Sequence, residues 1–140
     1  MSYLPTPVSE STAAEIVRRE GSAKGFTTND TITQSDIVKL ANGSGLVRAV
    51  NGDLLPIIDG VAIYTAVSGA RTVAIKGRVR AVWDGVGTVV PGTVLGVSAA
   101  RSGWFEPSAS TSGQLQIGYY RGTAALAAAN SGTAVEVELL

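Results

Sequence analysis

Between Gly60 and Val82 the chain reads GVAIYTAVSGARTVAIKGRVRAV, and these two apolar runs joined by one turn signal limit the fold more than any other stretch. Small and β-branched residues dominate from Val61 to Val67, Ser68-Gly69-Ala70 punctuates, and Thr72 to Val82 alternates with period two. The pattern predicts a strand, a turn and a strand. On the second strand Val73, Ile75, Val79 and Ala81 share one face, while Ala74, Lys76, Arg78, Arg80 and Val82 share the other. A strand that is apolar on one side and basic on the other belongs to a half-exposed sheet, and its cations are candidates for meeting an acidic partner.

Composition selects the class of sheet protein. An apolar fraction of 45% with only 16% charged residues and 17 glycines describes a turn-rich β protein of small side chains, where a helical bundle would want more Leu, Glu and Lys. At 140 residues one core is expected. Eleven basic and eleven acidic residues cancel, so no global field draws the chain to nucleic acid or to anionic lipid, and neither partner is expected. Without cysteine there is no disulfide framework. No apolar run approaches the ~20 residues of a membrane span, and MSYLPTPVSEST has neither a basic n-region nor an apolar h-region, so a soluble protein made in a cytosol is expected.

Residues 1–34 read as an N-terminal arm and residues 35–140 as a β domain. Thr12 and Glu15 have capping-box spacing and Gly21 can stop a helix, which would need a surface for Ala13, Ile16 and Val17; an unstructured tail fits the stretch equally well. The Thr-rich stretch from Gly25, with Phe26, fits a first strand or a loop. Ile37 to Leu40, the turn Asn42-Gly43-Ser44-Gly45, and Leu46 to Val50 form a hairpin pattern. Further strands are expected at Pro91 to Val97 and Leu115 to Tyr120, with two helical turns over the Ala-rich Thr123 to Ala129. A closing strand follows, in which Val135, Val137 and Leu139 alternate with Glu136 and Glu138. A weak repeat links Ile37 with Val94, Gly60 with Gly118, and Ser68-Gly69 with Ser131-Gly132. Two similar halves forming a small all-β barrel-like or sandwich domain are the simplest architecture.

Several segments resemble the small tailed-phage capsid decoration, or cement, proteins: D-I-V-K-L at 36–40, I-D-G-V-A at 58–62, S-G-A-R-T-V-A-I-K-G at 68–77, V-P-G-T-V-L at 90–95, I-G at 117–118 and S-G-T-A-V-E-V-E-L at 131–139. The likeness covers residues 35–140, and Gly60, Gly77 and Gly118 match that family's recurrent strand-end glycines. The resemblance implies a β domain on the outside of a mature head, made in the host cytoplasm. It also implies a major capsid protein as partner and a small homo-oligomer, with a trimer expected, stapling neighbouring capsid subunits. The longer arm, and Tyr119-Tyr120-Arg121 with its Ala-rich insertion, depart from the family pattern.

Enzyme chemistry finds no purchase. With no histidine, a Ser-His-Asp triad or an ordinary zinc site is excluded, and no phosphate loop or dinucleotide fingerprint is present. Asp53, Asp59 and Asp84 lack calcium-ligand spacing and read as turn aspartates. No catalytic residue, metal or cofactor is therefore expected. Trp83, Trp104, Phe105, Tyr119 and Tyr120 fit core and interface packing better than a sugar platform, although a carbohydrate-binding or adhesion module is the alternative function. Candidate capsid or subunit contacts are Ile16, Val17, Phe26, Lys76, Arg78, Arg80, Trp104, Phe105, Tyr119 and Tyr120. A cross-strand ladder of Lys76, Arg78 and Arg80 with Glu136 and Glu138 is the favoured role of these cations, and contact with acidic side chains of a capsid is the alternative.

Overall fold

The computed structural model describes residues 24–41, 45–108 and 115–140. The helix expected at residues 12–21, with Ile16 and Val17, lies outside them.

Two five-stranded antiparallel sheets follow one another along the chain. The first contains β1 (Lys24–Thr27), β2 (Ile37–Leu40), β3 (Leu46–Arg48), β4 (Ile58–Ala62) and β5 (Arg71–Ile75) in the order β1-β5-β4-β2-β3. The second contains β6 (Gly77–Val82), β7 (Val94–Val97), β8 (Phe105–Pro107), β9 (Gly118–Tyr120) and β10 (Ala134–Leu139) in the order β6-β10-β9-β7-β8. Counted from its own first strand, each sheet has the same order. Each also curls until its outer strands meet, through parallel bridges between Thr28 and Leu46 and between Trp83 and Phe105. The repeat read from the sequence is therefore a duplicated topology.

Small details recur in both halves. Ile32 bridges Ala66 as Val89 bridges Leu126, and Ser35 N–H bonds the Ala62 carbonyl as Gly92 N–H bonds that of Tyr120. Gly60 and Gly118 both lie where an added Cβ would run into the backbone of the neighbouring strand, at Ile75 and at Glu138 respectively. That close approach explains why the two halves share a glycine there.

Three readings change. The alternation from Thr72 to Val82 is two strands in two sheets, because Gly77 takes φ +95° and turns the chain from one sheet to the next. The Ala-rich stretch forms no two-turn helix: Leu126 exchanges both backbone bonds with Val89, at 2.7 and 3.0 Å, and only Ala128–Asn130 makes a 3₁₀ turn. Sheet pairing here overrides helix propensity. Finally, β1 pairs with β5 and Ile32 is fully buried, so the first sheet already includes Lys24, eleven residues before the domain start at residue 35 read from the sequence (35 − 24).

One core cluster joins Ile37, Ala49, Ile58, Val61 and Ile75 of the first half to Val79, Trp83, Phe105, Tyr120, Leu139 and others of the second. A smaller cluster of Ile32, Val38, Leu46, Ala62 and Ala74 fills the first half, with half-buried Phe26 packed on it. The halves are also tied by hydrogen bonds. Ile37 N–H donates to the Gly103 carbonyl, Gly103 N–H to the Ala49 carbonyl, each at 2.8 Å, and Asn51 Nδ2 to the Val97 carbonyl at 2.7 Å.

Candidate functional site

Strand register assigns equivalent surface positions in the two sheets. In the first, the row Ile37–Val61–Ile75 crosses β2, β4 and β5 and is buried in the main core. The same row in the second sheet is Val94–Tyr119–Glu138, continued by Arg78 on β6. There it is half-buried to exposed. The adjacent row pairs Arg80 with Glu136, whose carbonyl accepts a 3.0 Å bond from Arg121 N–H. One face of the duplicated sheet is thus a packed interface in the first half and an open polar surface in the second.

Most charges on this open face neutralise one another. Arg78 holds Glu136 Oε2 through both Nε and Nη2 at 2.8 Å, and Arg121 Nε holds Glu138 at 3.0 Å. Among the described residues only one rung of the expected ladder forms: Arg78, directly opposite Glu138, reaches diagonally to Glu136, while Glu138 is held by Arg121 of the following segment and Arg80 takes no part. The contact is possible because β6 and β10 pair within one sheet; the equivalent pair in the first half is β1 and β5. Arg80 donates no side-chain hydrogen bond and forms no ion pair among the described residues. Between Arg78, Arg80 and Glu136, over Val79, lies a shallow depression of about 260 Å³. Beside it the Arg121 guanidinium sits 5.4 Å from the centre of the Tyr119 ring.

The other candidate contacts scatter. Lys76 is half-buried at the junction of β5 and β6 and is itself partnered. Trp104 is half-buried before β8, with the Arg101 guanidinium 4.8 Å over its ring. Two aromatic candidates belong to the core instead of a contact surface. Phe105 is fully buried, its ring centre 5.6 Å from that of Trp83, because the parallel bridge turns it inward. Tyr120 is 3% exposed and donates its hydroxyl to the Ala124 carbonyl at 2.6 Å. With Trp83 also buried, three of the five aromatics are withdrawn from any sugar platform.

Asp53 and Asp84 act as the turn aspartates the sequence predicts, whereas Asp59 lies within β4 and caps a backbone N–H of the neighbouring strand. Asp53 accepts Val50 N–H and Lys39 Nζ, Asp59 accepts Leu40 N–H, and Asp84 accepts Val86 N–H. Sequence reasoning missed two acid sites beside the loop between β7 and β8. Asp36, packed against Gly103, has its carboxyl raised above the ordinary range by burial, opposed by the Thr33 N–H and by Arg48. Glu106 accepts the Ala99 N–H and is raised first by burial and then by the facing Asp84 carboxyl, whose Oδ2 is buried without a donor among the described residues. No local pattern announces either site, since the partners come from distant segments.

The architecture has a solved counterpart. The crystal structure of the N base of head fiber gp8.5 from bacteriophage phi29 superposes with a TM-score of 0.63, covering 84% of this chain and 92% of that one at 14% sequence identity. At that identity the likeness establishes a shared fold. No protein-family model and no curated protein sequence matches this chain.

Proposed function

We propose that this chain is a non-enzymatic structural protein of a tailed-phage virion, bound to the outer surface of the capsid and stabilising the mature head by bridging capsid subunits. The observation that carries the reading is the fold shared with a phage head fiber base over most of both chains. The decoration-protein resemblance of residues 35–140 supports it independently. The partner is the major capsid protein, and a small oligomer, a trimer on this reading, multiplies weak contacts through simultaneous engagement.

Co-sedimentation of the purified chain with heads of the phage that carries it, followed by electron microscopy of heads with and without it, tests the proposal. Saturable density on the outer surface and heads more resistant to heat are the expected results. Absence of binding overturns it.

A further inference from the structure

We infer that the outer face of the second sheet, centred on Arg80 and Tyr119, docks a carboxylate-bearing protein surface. This rests on the capsid reading, in which the carboxylates belong to the capsid exterior. The duplication supplies the first argument. The row Ile37–Val61–Ile75 shows that this fold uses that face for packing one module on another. In the second half Val94 keeps the aliphatic character of Ile37, but Tyr119 and Glu138 stand where Val61 and Ile75 stand in the first. A face with this composition suits a partner that associates from water, since such interfaces keep a polar rim and favour tyrosine and arginine over aliphatic residues.

Charge supplies the second argument. Glu136 is held by Arg78 and Glu138 by Arg121, so the acids of this face are already satisfied. Arg80 is left uncompensated among the described residues, exposed at the wall of the depression formed with Arg78 and Glu136. A guanidinium with five donors and no acceptor is completed by a carboxylate. The Tyr119 ring, already covered by Arg121, offers its remaining edge to packing instead of an open stacking surface for sugar.

The full-length chain and its Arg80→Ala and Arg80→Glu variants are compared for head binding at low and at physiological salt. Unchanged melting temperatures show that the variants fold. Arg80→Ala is expected to weaken binding about ten-fold, the effect of one charge-assisted hydrogen bond. Arg80→Glu is expected to abolish it, and the salt dependence of wild-type binding should shrink in Arg80→Ala. Variants that bind as wild type overturn the docking face and leave the capsid reading intact. If wild type itself does not bind heads, the capsid reading fails, and the face is judged by NMR titration of the wild-type chain with a short aspartate-rich peptide. Salt-sensitive shifts confined to Arg80, Tyr119 and Arg121 then support it, while shifts elsewhere or none overturn it.

Discussion

Phe105 and Tyr120 occupy in the second half the places that Leu46 and Ala62 hold in the first, as Trp83 does for Thr28, so aromatic rings fill positions in one curled sheet that aliphatic side chains and a threonine fill in the other. Phe105→Ala should therefore cost about 3–5 kcal/mol in denaturant unfolding, the range for emptying a buried aromatic site. Tyr120→Phe should cost only about 1 kcal/mol, because the ring stays and one hydrogen bond is lost. Equal costs would contradict the placement. Glu106 gives a pH prediction of definite sign. Its folded-state pKa lies above the unfolded value, so the native chain binds the extra proton and stability falls as pH rises through that interval. Glu106→Gln removes this loss, and should flatten the decline in melting temperature from about pH 4.5 to pH 7 while raising it at the neutral end. A variant with an unchanged profile would show that burial and Asp84 do not act on this carboxyl.

At the scale of strands, β6 and β10 join through six residue pairs, and their outer faces carry the Arg78–Glu136 ion pair. Both partners of the Arg78–Glu136 pair are about half exposed, with side chains at 56% and 45%, so water screens them and the pair is worth little. Arg78→Ala is expected to lower stability by no more than about 1 kcal/mol, measured by thermal melting at low salt. A larger loss would mean that the arginine stem packs as well as pairs. These strands also show what the sequence could reveal. The alternation of Val135, Val137 and Leu139 with Glu136 and Glu138 fixed which face is buried, because a strand period needs no distant information. Gly60 and Gly118 marked the duplication because a backbone approach leaves room for no other residue. The change of sheet at Gly77 was hidden, since alternation continues through it and only the backbone dihedral differs. Leu126 was misread because its local neighbours favour helix while its bonds to Val89 span 37 residues (126 − 89). The contact face was half legible: Arg78, Arg80 and Tyr119 share it, but burial of Phe105 and Tyr120 depended on which strands close the curl.

For the whole molecule, the question is whether two similar halves behave as two folding units. Their topologies match, yet their cores do not stay separate: Ile37, Val61 and Ile75 lie on the outer face of the first sheet and are buried in one cluster with Val79, Val97, Ile117 and Leu139. Separated, each half would leave part of this apolar surface in water, at a cost of roughly 25 cal/mol per Å². The Gly103 and Asn51 bonds would be lost as well. Unfolding should therefore be a single cooperative transition with equal calorimetric and van't Hoff enthalpies, despite the duplication. Asn51→Ala, which deletes one bond between the halves, tests the coupling directly. If the halves share their stability, the single transition moves down as a whole by about 1 kcal/mol, whereas two resolved transitions would mean that the shared cluster does not bind them into one unit.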